Sequence, residues 1–373
     1  MSNDPGELRA LLEGVPVAGL SALHVRVPFR RPFATATGMW LHREAWIVLL
    51  LSTDGRVGLG EAVLEPDATE VEETILARVI RETAGRARGG DLPDPEELEL
   101  LGGPGRAFRA ALDGARLDLA GTLDDAPVPV NGTIGFAGPR EGAQAALQAI
   151  EAGFTTLKLK AGAERETEDL VARVRAIRQA VGPDVRLRLD INGAWDLPTA
   201  VDRLDAIARF EIEYVEQPLP ADDTAGAAEL RRLVGVPIAA DEAVYAPIAA
   251  RRLLGEEAAD VLVVKPSRVG GPVAIAEIAA AARAAGVPVV LSTLFETGIG
   301  IATARACARG LPGGLAHGLA TAGLLEHDLL VEPLGVDGGR MTPPGGPGTG
   351  GLGILLDDGA LRRFAVEAVE AAE

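Results

Sequence analysis

Three acidic residues close three successive apolar runs of the chain: Asp190 in RLRLDING, Glu216 in EYVEQPL and Asp241 in PIAADEA. Packing gives a polar side chain no reason to end such a run, so each is a candidate for chemistry. Lysines bracket the series, with Lys158 and Lys160 in TTLKLKAG before it and Lys265 in DVLVVKPS after it. Carboxylates buried together repel and lose hydration, a penalty that a hard divalent cation removes. Oxygen ligands suit magnesium, which takes one to a few carboxylates and leaves positions for water or substrate oxygens. None of the four histidines ends a run of this series, which argues against zinc held by nitrogen. Asp190, Glu216 and Asp241 are therefore expected to bind Mg2+, with Mn2+ able to substitute.

Strand periodicity of two puts Lys158 and Lys160 on one face, Lys160 nearer the end of the run. A proton next to a carboxylate is very weakly acidic. Removing it requires a base and a positive environment for the enediolate left behind, which a divalent ion and lysine charge supply. Asn192 and Glu242 sit beside the carboxylates. Arg188, two residues before Asp190, shares its face and could orient a ligand or a carboxylate. Taken singly, each of these residues is equally explained as an ion-pair partner in a protein interior. The ordered series is harder to explain that way.

The elements that must position these groups follow from the hydrophobic pattern. From about Leu20 to Ala62 the chain reads as strands, with Asp54-Gly55 as a hairpin turn. Glu70–Leu119 reads as helical, so the N-terminal part is an α+β module. After Pro127, eight short apolar runs alternate with amphipathic stretches roughly every 25 to 30 residues, the repeat of a strand and helix in a barrel. An open doubly wound sheet shares the alternation, but the first run ends Asn131-Gly132-Thr133 without a GxGxxG loop. The predicted class is α/β: a modified (β/α) TIM-type barrel with an α+β N-terminal capping domain. The expected division is 1–126 for the cap, 127–335 for the barrel and 336–373 for a C-terminal segment that returns to the cap. The last stretch, DDGALRRFAVEAVE, reads as a helical tail.

Composition sets outer bounds. The 373 residues are 47% hydrophobic and 24% charged, enough for a large core. The net charge of −18 opposes binding to nucleic acid or anionic membranes. Cys307, the only cysteine, is expected in the core. Neither a signal-peptide pattern nor an apolar run approaching the roughly 20 residues of a membrane span is evident, so a cytoplasmic protein is expected.

The ordered set KxK, DxNxxW, EQP, DE and VKPSRVGG resembles the enolase superfamily, in the branch that contains muconate lactonising enzymes and o-succinylbenzoate synthases. RPFATATGMWLHREAWIVLL followed by GLGEA is similar to that family's capping domain. The resemblance implies Lys160 as the base, Lys265 on the opposite face of the substrate, and Asp190, Glu216 and Asp241 as the metal ligands. It implies that Lys158 tunes Lys160 or touches the substrate carboxylate, and that Asn192 and Glu242 stand behind the ligands, Asn192 within reach of the substrate. Ser292-Thr293-Leu294-Phe295-Glu296-Thr297-Gly298 is similar to the o-succinylbenzoate synthase segment at the substrate's succinyl end, with Ser292, Thr293 and Glu296 as substrate contacts. Thr293 stands where many members have serine. Ala316–Thr321 lacks the Asp-x-Asp with which dipeptide epimerases hold an ammonium group. The implied activity is syn dehydration of a hydroxycyclohexadiene carboxylate in menaquinone biosynthesis. N-succinylamino acid racemisation, or another racemase or cycloisomerase reaction of the branch, is the alternative, and a carboxylate-binding barrel without catalysis is the non-enzymatic one. The expected partner is a small carboxylate, and a homo-oligomer is compatible. Phe33, Met39 and Trp40, in the capping loop Arg30–His42, are candidates for substrate contact or for interdomain core.

Overall fold

The computed structural model describes residues 4–35, 38–87, 90–121, 126–343 and 351–370. The cap begins with helix Pro5–Glu13 and continues as a meander of β1 (Val17–Thr35), β2 (Gly38–Ser52) and β3 (Val57–Ala62). The predicted Asp-Gly turn joins β2 to β3, with Gly55 at φ 86° and the Ser52 N–H donating to the Arg56 carbonyl at 2.9 Å. Helices Glu70–Arg86 and Gly103–Ala120 cover one face of the sheet. The first starts with a reciprocal cap between Thr69 and Glu72, which satisfies N–H groups that the first helical turn cannot. The second lies so close to β3 that a Cβ on Gly60 would stand 1.9 Å from the Ala111 carbonyl oxygen. Glycine is required there by that approach.

The barrel region opens with β4 (Val128–Pro129), which belongs to a small separate sheet. It is followed by seven parallel strands: β5 (Gly132–Ile134), β6 (Thr156–Lys160), β7 (Arg186–Asp190), β8 (Ile212–Glu216), β9 (Ile238–Ala240), β10 (Val261–Val264) and β11 (Val289–Leu291). The leucines and valines between the polar residues of β6–β8 point outward and bury against the surrounding helices. The alternate residues face the lumen, where Tyr214, Ala239, Val261, Val263 and Val290 pack together. The eighth apolar run was expected to be a full strand. Ala316–Gly318 instead closes the barrel through two parallel bridges, Ser292 with Gly318 and Val130 with His317. Gly318 lets this segment approach closely, since a Cβ there would meet Ser292 Oγ at 2.8 Å.

The chain then forms the short strands β12 (Val336–Asp337) and β13 (Arg340–Met341), which extend β4. The expected helical tail is overturned in part. Asp358–Phe364 is helical, but the chain straightens into β14 (Ala365–Val369), which pairs antiparallel with β1. Ala-Val-Glu-Ala-Val suits either period, and the free edge of β1 selects the strand. Cys307 is buried, and burial pushes its thiol up to about 12, as befits a small core residue. Among the described residues, no helix is long and apolar enough to cross a membrane.

Candidate active site

Strand register assembles the site. Lys160 pairs with Asp190 and Asp190 with Glu216, so β6, β7 and β8 end in one row at the C-terminal mouth of the barrel. One layer deeper, Lys158 pairs with Arg188 and Arg188 with Tyr214. Asp241 follows β9 and Lys265 follows β10. Asp190, Glu216 and Asp241 are each at most 1% exposed.

The lysines interleave with these carboxylates. Lys160 Nζ donates to Asp190 Oδ2 at 2.7 Å and to Asn192 Oδ1 at 2.9 Å. From the deeper layer, Lys158 Nζ reaches up to both Glu216 oxygens, at 3.0 and 3.2 Å, and lies 2.9 Å from Asp190 Oδ2. Across the mouth, Lys265 Nζ donates to Asp241 Oδ2 at 2.6 Å. Asn192 also donates to Glu242 Oε1 at 2.9 Å. Lys160 and Lys265 thus stand on opposite sides of the carboxylate row.

Charge is unevenly shared. Burial raises the proton affinity of Asp190, but Lys158 and Lys160 outweigh it and hold the carboxyl below its ordinary value. Asp241 is likewise held down against burial, by Lys265 and Arg268. Glu216 goes the other way, because burial and the Asp190 charge exceed the help from Lys158. Burial opposes the charged form of Lys158, yet the surrounding carboxylates raise its proton affinity. For Lys265, burial and Arg268 are overcome by Asp241 and Glu242. A carboxylate cluster with one member pushed toward protonation is short of positive charge.

The donor set fits a hard divalent cation. It is made of oxygens alone, and Asp190 Oδ1 and Glu242 Oε2 are buried without a hydrogen-bond partner, which leaves lone pairs open. Among the described residues, no three acidic, imidazole or thiol groups are close enough to hold an ion as they stand. Lys158 bridges Asp190 and Glu216, while Lys160 pairs with Asp190 and Lys265 with Asp241.

The remaining predicted residues are held by contacts of their own. Arg188 does not contact Asp190. It is fully buried, donates to Glu213 Oε2 at 2.5 Å, Asn131 Oδ1 at 3.2 Å and the Ala316 carbonyl at 2.7 Å, and lies over the Tyr214 ring. It therefore ties β7 to the segment that closes the barrel. Glu296 is buried and accepts from the Leu294 N–H at 2.6 Å and from Ser267 Oγ at 3.2 Å. Ser292 is held in the closing bridge, and Thr293 Oγ1 lies 2.9 Å from Thr321 Oγ1. Trp40 packs against Phe29 and Phe295, whose ring centroids are 6.2 Å away in each case, while Met39 is 60% exposed. The side chain of Phe33 lies outside the described residues.

Two supports were not singled out from sequence. Gln217, in the left-handed region at φ 41°, accepts from the N–H groups of Asp241 and Ala243 and so aims the Asp241 turn. Arg268 donates to Asp241 Oδ1 at 2.7 Å and to Glu65 of the cap. Both lie inside quoted motifs, EQP and VKPSRVGG, but nothing in the spacing shows where their side chains reach. A cavity of about 370 Å3 opens between cap residues 63–68 and Glu242, Ser267, Arg268 and Leu294. A larger cavity of about 590 Å3 lies against the β1–β2 hairpin and helix Glu70–Arg86, with none of the carboxylate row in its wall.

Residues 141–359, more than half the chain, match the family model described as enolase C-terminal domain-like. The chain belongs to the enolase superfamily. Its relatives place it in the muconate lactonising branch. It is 42% identical to the o-succinylbenzoate synthase of Thermobifida fusca over 231 residues, 61% of this chain and 70% of that protein. It is 31% identical to the N-succinylamino acid racemase of Thermus thermophilus over 356 residues, 90% and 94% of the two chains. The muconate lactonizing enzyme of Pseudomonas fluorescens, solved with muconolactone, superposes with a TM-score of 0.80 at 26% identity, covering 94% of this chain and 99% of that one. A dipeptide epimerase of Enterococcus faecalis, solved with Mg and the dipeptide L-Leu-L-Tyr, gives 0.77 at 26% identity, covering 91% and 99%. The modified barrel with its cap is thus the fold of this enolase superfamily enzyme.

Proposed function

We propose that this enolase superfamily member is a magnesium-dependent o-succinylbenzoate synthase, which dehydrates 2-succinyl-6-hydroxy-2,4-cyclohexadiene-1-carboxylate in menaquinone biosynthesis. The observation that carries the reading is the placement of Lys160 and Lys265 on opposite sides of a buried carboxylate row. The 42% identity to a synthase supports the choice of reaction. So does the absence of any acidic residue in Ala316–Thr321, which leaves an ammonium-bearing substrate without a partner there. The epimerase solved with Mg supports the choice of cation.

In this reading Asp190, Glu216 and Asp241 hold Mg2+, for which Mn2+ can substitute. When bound, the ion would offset their charge and draw the negative charge that develops on the substrate carboxylate. Lys160 Nζ removes the proton from the carbon bearing the carboxylate. The carbon–oxygen bond to the hydroxyl then breaks on the same face, and the proton on Lys160 leaves with that hydroxyl as water. Lys265 stabilises the enediolate from the far face. Lys158, beneath the row, directs its ammonium toward the substrate carboxylate, and Asn192 keeps Lys160 aimed. Ser292 and Thr293 line the succinyl end, while Glu296 shapes their loop.

A second reading is N-succinylamino acid racemisation, favoured by the racemase relative that matches 90% of this chain and by a lysine on each side. A racemase must protonate both faces, whereas a syn dehydratase needs acid-base work from one lysine only. The test is turnover of the dehydration substrate beside a panel of N-succinyl amino acids in heavy water. Dehydration at a kcat/KM of about 10⁴ M⁻¹s⁻¹ or more, exceeding racemisation roughly tenfold, is expected. Efficient racemisation without detectable dehydration would overturn the proposed reaction.

A further inference from the structure

The loop that follows β11 is clasped by a carboxylate from the cap. Glu61, in β3, is 4% exposed and spends both oxygens on the barrel. Its Oε1 accepts from the Thr297 N–H at 2.9 Å, and its Oε2 from Thr297 Oγ1 at 2.7 Å and the Gly300 N–H at 2.8 Å. Thr297 is the N-cap of helix Gly298–Ala308, so a cap residue satisfies N–H groups that open a barrel helix. The glycine at 300 fits this contact, since a Cβ there would lie 3.0 Å from Glu61 Oε2 and 2.7 Å from the Glu296 Cβ.

What the clasp holds is the segment from Ser292 to Thr297. Its upstream end is pinned to the closing strand by the Ser292–Gly318 bridge. In between, Phe295 sits at φ 62°, a left-handed conformation that a non-glycine residue keeps only when its surroundings enforce it. Its ring packs on Phe29 and Trp40 of the cap hairpin, at 5.8 and 6.2 Å. Leu294, one residue earlier, lines the cavity at the mouth. The cap therefore grips this loop twice, through an aromatic contact at Phe295 and through Glu61 three hydrogen bonds further on.

We propose that Glu61 is a positioning residue for substrate binding: it fixes the Ser292–Thr297 loop against the cap, so that the docking of the cap sets the shape of the pocket end away from the carboxylate row. The clasp touches neither the lysines nor the carboxylates, so its loss acts on substrate fit and leaves the chemical groups in place. The inference rests on the functional reading only in taking this loop as the substrate's distal contact.

The experiment combines steady-state kinetics, magnesium titration calorimetry and amide hydrogen exchange of the substrate-free protein on Glu61→Ala, Glu61→Gln and Gly300→Ala. For Glu61→Ala, KM is expected to rise by about tenfold or more while kcat stays within about threefold, the signature of lost substrate fit. Amides of residues 294–300 should exchange at least about tenfold faster, with magnesium affinity unchanged. Glu61→Gln, which keeps one acceptor oxygen, should recover part of both effects. Gly300→Ala perturbs the clasp from the barrel side and should move the same readouts, so a Glu61→Ala protein that fails to fold does not end the test. Unchanged KM with unchanged exchange in the folded variants would overturn the proposal, as would a loss confined to kcat or to magnesium affinity. Exchange is read without substrate. A wild-type protein that does not dehydrate would therefore sink the functional reading while the clasp is still judged.

Discussion

Replacing Lys160 with alanine should have two effects of opposite sign, and their combination is diagnostic. Lys160 Nζ lies 2.7 Å from Asp190 Oδ2, on a carboxylate proposed to bind the cation. A cation arriving there meets the ammonium as a like charge. Two unit charges about 4 Å apart at an effective dielectric constant of about 20 interact by about 4 kcal/mol. The Lys160 side chain is 20% exposed and can swing out, so only part of that repulsion is felt. Lys158 also remains 2.9 Å from Asp190 to hold some positive charge in place. A gain of about tenfold in magnesium affinity, near 1.4 kcal/mol, is the expected net result. The same variant lacks its base, and general-base catalysis of this kind contributes about 10² to 10⁴ in rate. Because Asp190 and Asn192 each lose a partner, the thermal midpoint should fall without metal and recover at saturating magnesium. Titration calorimetry, turnover and thermal melts on one preparation give all three quantities. A folded variant that binds magnesium no better than the wild type, or that keeps kcat within about tenfold, would refute the argument.

Chelation should abolish activity and added magnesium or manganese should restore it, whereas full turnover by protein shown to be free of metal would count against Asp190, Glu216 and Asp241 as ligands. Asp113 is buried in helix Gly103–Ala120, where burial outweighs Arg109 and Arg116 and lifts its carboxyl from 3.8 to about 6. The folded state thus favours the protonated form, so this group's stabilising contribution is present below pH 3.8 and is lost as pH rises through about 6. That rise corresponds to about 3 kcal/mol, so Asp113→Asn should stabilise the protein above pH 6 and flatten this part of the pH dependence in urea unfolding; equal curves would show that the arginines neutralise it fully. Gly60→Ala should destabilise the cap by about 2 kcal/mol or more, because its Cβ would stand 1.9 Å from the Ala111 carbonyl, and a neutral result in thermal melts would mean that helix Gly103–Ala120 can shift.

The sequence by itself determined seven of the barrel strands and brought forward the candidate residues at their ends. Strands buried on one face by helices and on the other by the lumen must be apolar, so Lys158, Lys160, Asp190 and Glu216 stand out in their runs and period two turns them inward. Local pattern also located the Asp54-Gly55 turn and the helices of the cap. It could not decide the end of the chain, because Ala365–Val369 suits either period and only the open edge of β1 makes it a strand. Nor could it say where long side chains go. Arg188 shares a face with Asp190 yet reaches across the lumen to Asn131 and Ala316, and Glu296 folds back onto its own loop. The contacts of Arg268 with Glu65 and of Glu61 with Thr297 and Gly300 join residues more than 200 positions apart. Spacing carries no record of such pairs. They exist only once strand register and the docking of the cap bring their backbones together, and a buried charge then turns toward whichever partner the packed interior offers.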